Sequence, residues 1–140
     1  MKIVVIDGQG GRLGRRLAES IRKELPDADI TAIGTNSMAT ENMMKSNCAD
    51  HLATGENAVI VGARNADVIV GPVGIATADA LLGEISPAMA NAVASSSAYR
   101  VLIPMNLCRT YVAGVAQGSA AILEDAMAHI REIAQNSHEA

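Results

Sequence analysis

The chain has 140 residues, 49% of them hydrophobic, and a formal net charge of −4. That is enough apolar material for one domain with a real core, and the acidic balance argues against a nucleic-acid groove, whose affinity rests largely on Lys and Arg. Phe and Trp are absent and Tyr occurs twice, so the core must be aliphatic and no aromatic platform for stacking bases is available.

The first element is also the most informative. Ile3 to Ile6 run straight into Asp7 and a glycine cluster, Gly8, Gly10, Gly11 and Gly14. This is the pattern of a buried parallel strand feeding a phosphate-holding turn. Glycine lets a backbone approach a ligand closely. The helix start that follows presents unpaired N–H groups and a partial positive charge, and together these favour phosphate. The strict G-x-G-x-x-G spacing fails at Leu13, whereas Gly8-x-x-Gly11-x-x-Gly14 fits, with Gln9, Gly10, Arg12 and Leu13 between. Arg12, Arg15 and Arg16 crowd the first turns and no acid appears before Glu19. Cations there oppose the helix dipole by ~0.3–1 kcal/mol each, a cost that a bound anion would offset. The bland alternative is that these arginines point into solvent or pair with Asp7. Asp7 itself would repel a bare pyrophosphate; it can accept N–H bonds from the turn, pair with Arg12, or hold a divalent ion on a phosphate.

A helix is expected over Gly11–Leu25, with Leu13, Leu17, Ile21 and Leu25 as its buried stripe, ended by Pro26. Asp29–Gly34 reads as a second strand. Its end carries Thr35 and Asn36, which either bond a ribose or cap the next helix, but no acid of the kind that dinucleotide sites place there. A helix over Ser37–Ser46 would bury Met38, Met43 and Met44, and Asn47–Ala53 would carry a short third strand. Thr54 is a possible cap for a helix containing Ala58–Ala63, a segment that a hairpin reading would make a strand.

Asp67–Gly71 is the fourth strand, and the glycines at its end, Gly71 and Gly74, either face the same cleft as Gly8 or form an ordinary loop. Ala76–Leu82 suggests a short helix. Ser86-Pro87 starts another, which ends near Ala94. Arg100–Ile103 is the fifth strand, with Asn106 placed to reach the cleft, and Tyr111–Val115 would be a sixth. The last helix spans about Ser119–Ala134, followed by a frayed tail.

Thr35, Asn36, Glu56, Asn57, Glu84, Asn106 and Cys108 all lie at strand ends or in loops, and only their convergence would make a site. Cys48 and His51 lack the paired spacing of a zinc site, so no metal is expected.

Two resemblances follow from these residues. GQGGRLGRRL resembles the nucleotide turn of dihydrodipicolinate reductases, which implies phosphate binding by Gly8, Gly11, Arg12 and Gly14. Those reductases have a separate substrate domain that nothing here matches. The whole chain, including IDGQGG, TGENA, GPVGIA and LIPMN, resembles a family of small bacterial proteins catalogued as a domain of unknown function.

The fold expected is α/β: a single three-layer α/β/α Rossmann-like domain over residues 1–140, with a mostly parallel sheet. The function expected is a cytoplasmic phosphate- or nucleotide-binding protein, its site comprising Asp7, Gly8, Gln9, Gly10, Gly11, Arg12, Leu13, Gly14, Thr35, Asn36, Gly71, Gly74 and Asn106. The alternative is an NAD(P)-dependent oxidoreductase relative whose cleft a second subunit completes. The cofactor is then NAD or NADP, or otherwise another phosphate-containing ligand. Partners are a small phosphate-containing molecule and a second copy in a homodimer, motivated by apolar residues such as Val73, Ile75, Leu81, Leu82 and Met127, with neither nucleic acid nor membrane.

Overall fold

Alternation along the first strand decides the layers. In the computed structural model, which describes residues 1–105, 111–114 and 118–138, β1 (Lys2–Asp7) sends Ile3 and Val5 into one aliphatic cluster and Val4 and Ile6 into another. A strand buried on both faces must be apolar at every position, and Ile3 to Ile6 are. Each cluster is then covered by helices.

The elements alternate strictly: α1 (Arg12–Glu24), β2 (Asp29–Gly34), α2 (Ser37–Met44), β3 (His51–Thr54), α3 (Glu56–Asn65), β4 (Val68–Pro72), a 3₁₀ turn at Val73–Ala76, α4 (Pro87–Ser95), β5 (Tyr99–Ile103) and α5 (Ser119–His138). The five strands are all parallel, in the order β3-β2-β1-β4-β5. Helices α1, α2 and α5 lie on one face, through Leu17, Ile21, Met43, Met127 and Ile130. Helices α3 and α4 cover the other, through Val59, Ala63, Met89 and Val93. Burying a Leu, Ile or Val fully is worth ~1.5–3 kcal/mol, so the two stripes supply most of what holds the layers together. The expected three-layer α/β/α Rossmann-like architecture is what forms.

Strand order reverses between β1 and β4. The chain winds outward from β1 to β3, crosses over, and winds outward again from β4 to β5. The crevice beyond the carboxyl ends of β1 and β4 is where open parallel sheets bind ligands, and the Gly8–Gly14 turn lies in it.

Several local expectations are corrected. Helix α2 buries only Ala39 and Met43, one turn apart, so Met38 and Met44 are 66% and 53% exposed: eight residues offer one narrow stripe. The third strand begins at His51 rather than Asn47, because Asn47 turns the chain at φ 53. The segment Ala58–Ala63 is helix, as expected, but its cap is Gly55 and Thr54 closes β3. No helix forms over Ala76–Leu82. Asp79, Leu81 and Leu82 have φ of 64, 55 and 58, incompatible with a right-handed helix. Residues 111–114 are not a strand, and Val115 lies outside the described residues. Helix α5 continues four residues past Ala134. Two residues expected on a dimer face, Ile75 and Met127, are core at 0% and 5% exposure, while Leu82 stands out at 91%. No helix among the described residues is long and apolar enough to cross a membrane.

Candidate anion-binding cleft

Asp7 organises the turn from beneath. It is 6% exposed, and its two carboxylate oxygens accept the N–H groups of Gly8 at 2.8 Å and Gly14 at 2.7 Å. Burial pushes its carboxyl above the ordinary range, those two N–H groups pull it back, and the charge of Glu84 adds to the rise. Of the roles open to Asp7 in the sequence, clasping the turn is the one its contacts display.

Two glycines serve the packing of α1. A side chain at Gly14 would stand 2.7 Å from the Asp7 Cβ and 2.5 Å from the Met43 sulfur. Gly11 combines φ +70 with a Cβ position 2.5 Å from the carbonyl oxygen of Ala39. Over Gly8 lie Thr35 and Leu81, whereas Gly10 has nothing within 4 Å of where its Cβ would be. Of these four glycines, Gly10 is the one with open space beside its backbone.

The N–H groups divide the same way. Gly11 donates to the Gly8 carbonyl, Gly14 to Asp7, and Gln9 to Glu84. Those of Gly10, Arg12 and Leu13 have no acceptor among the described residues. The arginines divide too. Arg15 bonds Glu19 at 3.0 Å, while Arg12 and Arg16 pair with no carboxylate among the described residues. The turn lines a cleft of about 490 Å³ with Pro72, Leu81 and Met105. Arg12, Leu13 and Met105 also line an adjoining cleft of about 350 Å³, where Arg16, Ile103, Pro104, Ile122 and Leu123 join them.

Thr35 and Asn36 are spent on their own chain. Asn36 caps α2 through the Ala39 N–H at 2.8 Å, and its amide donates to the Gln9 carbonyl and to Glu84. The Thr35 hydroxyl donates to Glu84 at 2.9 Å. The acid missing from the end of β2 therefore arrives from elsewhere. Glu84, in the loop after β4, reaches across the end of β1 to Gln9, Thr35 and Asn36. The sequence offers Glu84 as one polar loop residue among seven, and the fold brings it together with Thr35 and with Asn36, 48 residues away.

Gly71 and Gly74 do not line this cleft. Gly71 is a glycine because a Cβ there would collide with the Ile6 carbonyl, Gly74 is buried in the 3₁₀ turn, and Pro72 supplies the wall. Asn106 and Cys108 lie outside the described residues. No cluster of three His, Cys, Asp or Glu side chains is placed to hold a metal among the described residues; Cys48 faces the Ser46 carbonyl and His51 faces Asp29.

Residues 2–135 match a family described as a domain of unknown function, DUF3842. The chain belongs to that family. No curated protein matches the chain. Among solved structures, it is similar to a dodecameric FMN-dependent Ubix-like decarboxylase from Escherichia coli O157:H7, at 18% identity and a TM-score of 0.48, over 96% of this chain and 77% of that one. These findings lend no support to the resemblance of the turn to that of dihydrodipicolinate reductases, and they do not show a nicotinamide cofactor.

Proposed function

We propose that this protein binds a small phosphate-containing molecule at the Gly8–Gly14 turn, in the crevice where strand order reverses. The observation that carries the reading is the set of donors left over: the N–H groups of Gly10, Arg12 and Leu13, and the side chains of Arg12 and Arg16, around an open cleft. A helix start rich in arginine and lacking acid breaks the dipole rule. Such a departure without compensation inside the chain points to a functional site, and a phosphate supplies both the missing charge and the missing acceptors.

Thermal melts with inorganic phosphate, AMP, FMN, coenzyme A, NAD and NADP test this. A ligand at a hundred times its Kd stabilises the native state by ~2.7 kcal/mol. At least one phosphate compound should raise the melting temperature, and the rise should vanish in Arg12→Met/Arg16→Met. A chain that responds to none, or a double variant that responds as strongly as the wild type, overturns the reading.

A further inference from the structure

We infer that the cleft takes a single phosphate carrying an apolar body, not a pyrophosphate bridge, and that Glu84 imposes this choice. The inference rests on the phosphate reading above and specifies its ligand.

The two sides of the turn differ in charge. Toward β2, the Glu84 carboxylate accepts the Gln9 N–H at 3.0 and 3.2 Å, the Thr35 hydroxyl at 2.9 Å and the Asn36 amide. A position where a second phosphate would find donors is thus held by the chain's own anion. The buried Asp7 carboxylate takes the Gly14 N–H just below. A second phosphate on this side would meet like charge and spent donors. Toward β5 there is no acid among the cleft residues, and Arg12 and Arg16 border apolar Ile103, Met105, Ile122 and Leu123.

Glu84 is not a loose surface group that steps aside. Its loop is fixed at both ends: Asp79 donates to the Ile85 carbonyl at 2.8 Å, Gly83 to the Asp79 carbonyl at 3.1 Å, and Ile85 is 1% exposed. Asp79, Leu81 and Leu82 are held at positive φ. Non-glycine residues stay in that region only where their surroundings over-determine it, and such strain clusters at ligand sites. Leu81 lies over Gly8 and also lines the cleft, so the loop both carries the carboxylate and closes the β2 side.

What remains is one compact group of donors, the Gly10, Arg12 and Leu13 N–H groups, suited to the oxygens of one phosphate. Beside it is an apolar cleft of about 350 Å³, within the range that holds small organic ligands. A phosphate monoester fills both: its phosphate on the turn and its body between the end of β5 and the start of α5.

Titration calorimetry with inorganic phosphate, phenyl phosphate and inorganic pyrophosphate tests the choice on wild type and Glu84→Gln. Wild type should bind phenyl phosphate at least tenfold tighter than phosphate, and pyrophosphate no tighter than phosphate. Glu84→Gln should strengthen pyrophosphate at least tenfold while changing phosphate less than threefold. Because the three donors converge on one carboxylate oxygen and the amide introduced by Glu84→Gln is a weaker acceptor than a carboxylate, the loop can then loosen, and Ile122→Gln tests the other side with the loop intact. It should remove the preference for phenyl phosphate and leave phosphate binding within threefold. Pyrophosphate binding tenfold tighter than phosphate in wild type, or a phenyl phosphate preference that survives Ile122→Gln, overturns the inference while the phosphate reading stands. Failure of all three probes to bind wild type overturns the phosphate reading itself.

Discussion

Helices α1 and α3 begin alike and are finished differently. Each follows a parallel strand, each is capped by a glycine at positive φ, Gly11 at +70 and Gly55 at +98, and neither cap has a side-chain hydrogen bond. Helix α3 then places Glu56 in its first turn, and Glu56 accepts the hydroxyl of Ser86, the cap of α4, at 2.5 Å. Its positive end is answered on the spot. Helix α1 has no acid in its first turn and carries arginines instead. The carboxylates that do reach it, Asp7 and Glu84, come from other elements; of the turn's N–H groups they take those of Gly8, Gln9 and Gly14 and leave those of Gly10, Arg12 and Leu13. Two helix starts of the same design thus part over one question, whether the chain supplies the anion or leaves room for one.

The caps give the largest effect by which to break this comparison. Gly11→Ala imposes a left-handed conformation on an L-residue, about 1–2 kcal/mol, and forces a methyl against the Ala39 carbonyl, about 1–3 kcal/mol more. Gly55→Ala meets nothing within 4 Å and bears only its backbone strain, about 1–3 kcal/mol. Urea denaturation should therefore show Gly11→Ala as the less stable, by about 1.5 kcal/mol at the centres of these ranges. Equal losses would mean that α2 yields to the new methyl and that Gly11 is there for its dihedral angle alone.

The same contrast shows where the sequence could be read. The strand–turn–helix unit was legible because its signals are local: an apolar run, clustered glycines, and Leu17 and Ile21 four apart. Strand β2 and helix α4 were legible for the same reason, the latter through Ser86-Pro87. What failed was set by contacts distant in the chain. Gly71 reads as a cleft or loop glycine until β4 is laid against the Ile6 carbonyl. Ala76–Leu82 has helical composition, yet Leu81 is drawn over Gly8 and the backbone turns left-handed to bring it there. Asn36 caps α2, one of the two roles its position offers, but the contact that it and Thr35 make with Glu84 becomes visible only once the loop after β4 crosses the end of β1. Spacing along a chain reports the element a residue is on; it does not report which other element's side chain arrives to meet it.

The next effect concerns the acid that α1 borrows. Burial holds the native Asp7 carboxyl above its ordinary value of 3.8. As pH rises through 3.8 the unfolded chain loses this proton first, so the native state binds more protons and the Asp7 contribution to stability falls until the native carboxyl has also ionised. Asp50 runs the other way. The Ile30 N–H and the Arg22 guanidinium hold it below 3.8, so its contribution is complete above that value and fades as pH falls through its native range. Denaturation measured across the acid range should show both slopes, and Asp7→Asn should remove the first and keep the second. The substitution also sets an amide NH₂ against the Gly8 or Gly14 N–H, at a cost of about 1–3 kcal/mol for the unmet group. A wild-type slope unchanged in Asp7→Asn would place the titrating group elsewhere.

Glu56 gives the smallest effect and the sharpest reading of the comparison. If α3 is closed by charge, Glu56→Gln should cost about 0.3–1 kcal/mol, the usual worth of an acid at a helix start. The Ser86 hydrogen bond does not confuse the result, because the amide oxygen of the new side chain can accept the same hydroxyl, and the Ser86 oxygen goes on accepting the Met89 N–H. What is lost is the charge. Salt separates the two contributions: at ~1 M ionic strength the Debye length shrinks to about 3 Å, and the difference between wild type and variant at this exposed position should largely disappear. A cost that persists in high salt would mean that Glu56 acts through its hydrogen bond, so that α3 is closed by geometry. No cost in low salt would mean that a glycine-led helix start tolerates an unanswered dipole. The arginines of α1, rather than its missing acid, would then be the whole of what sets it apart.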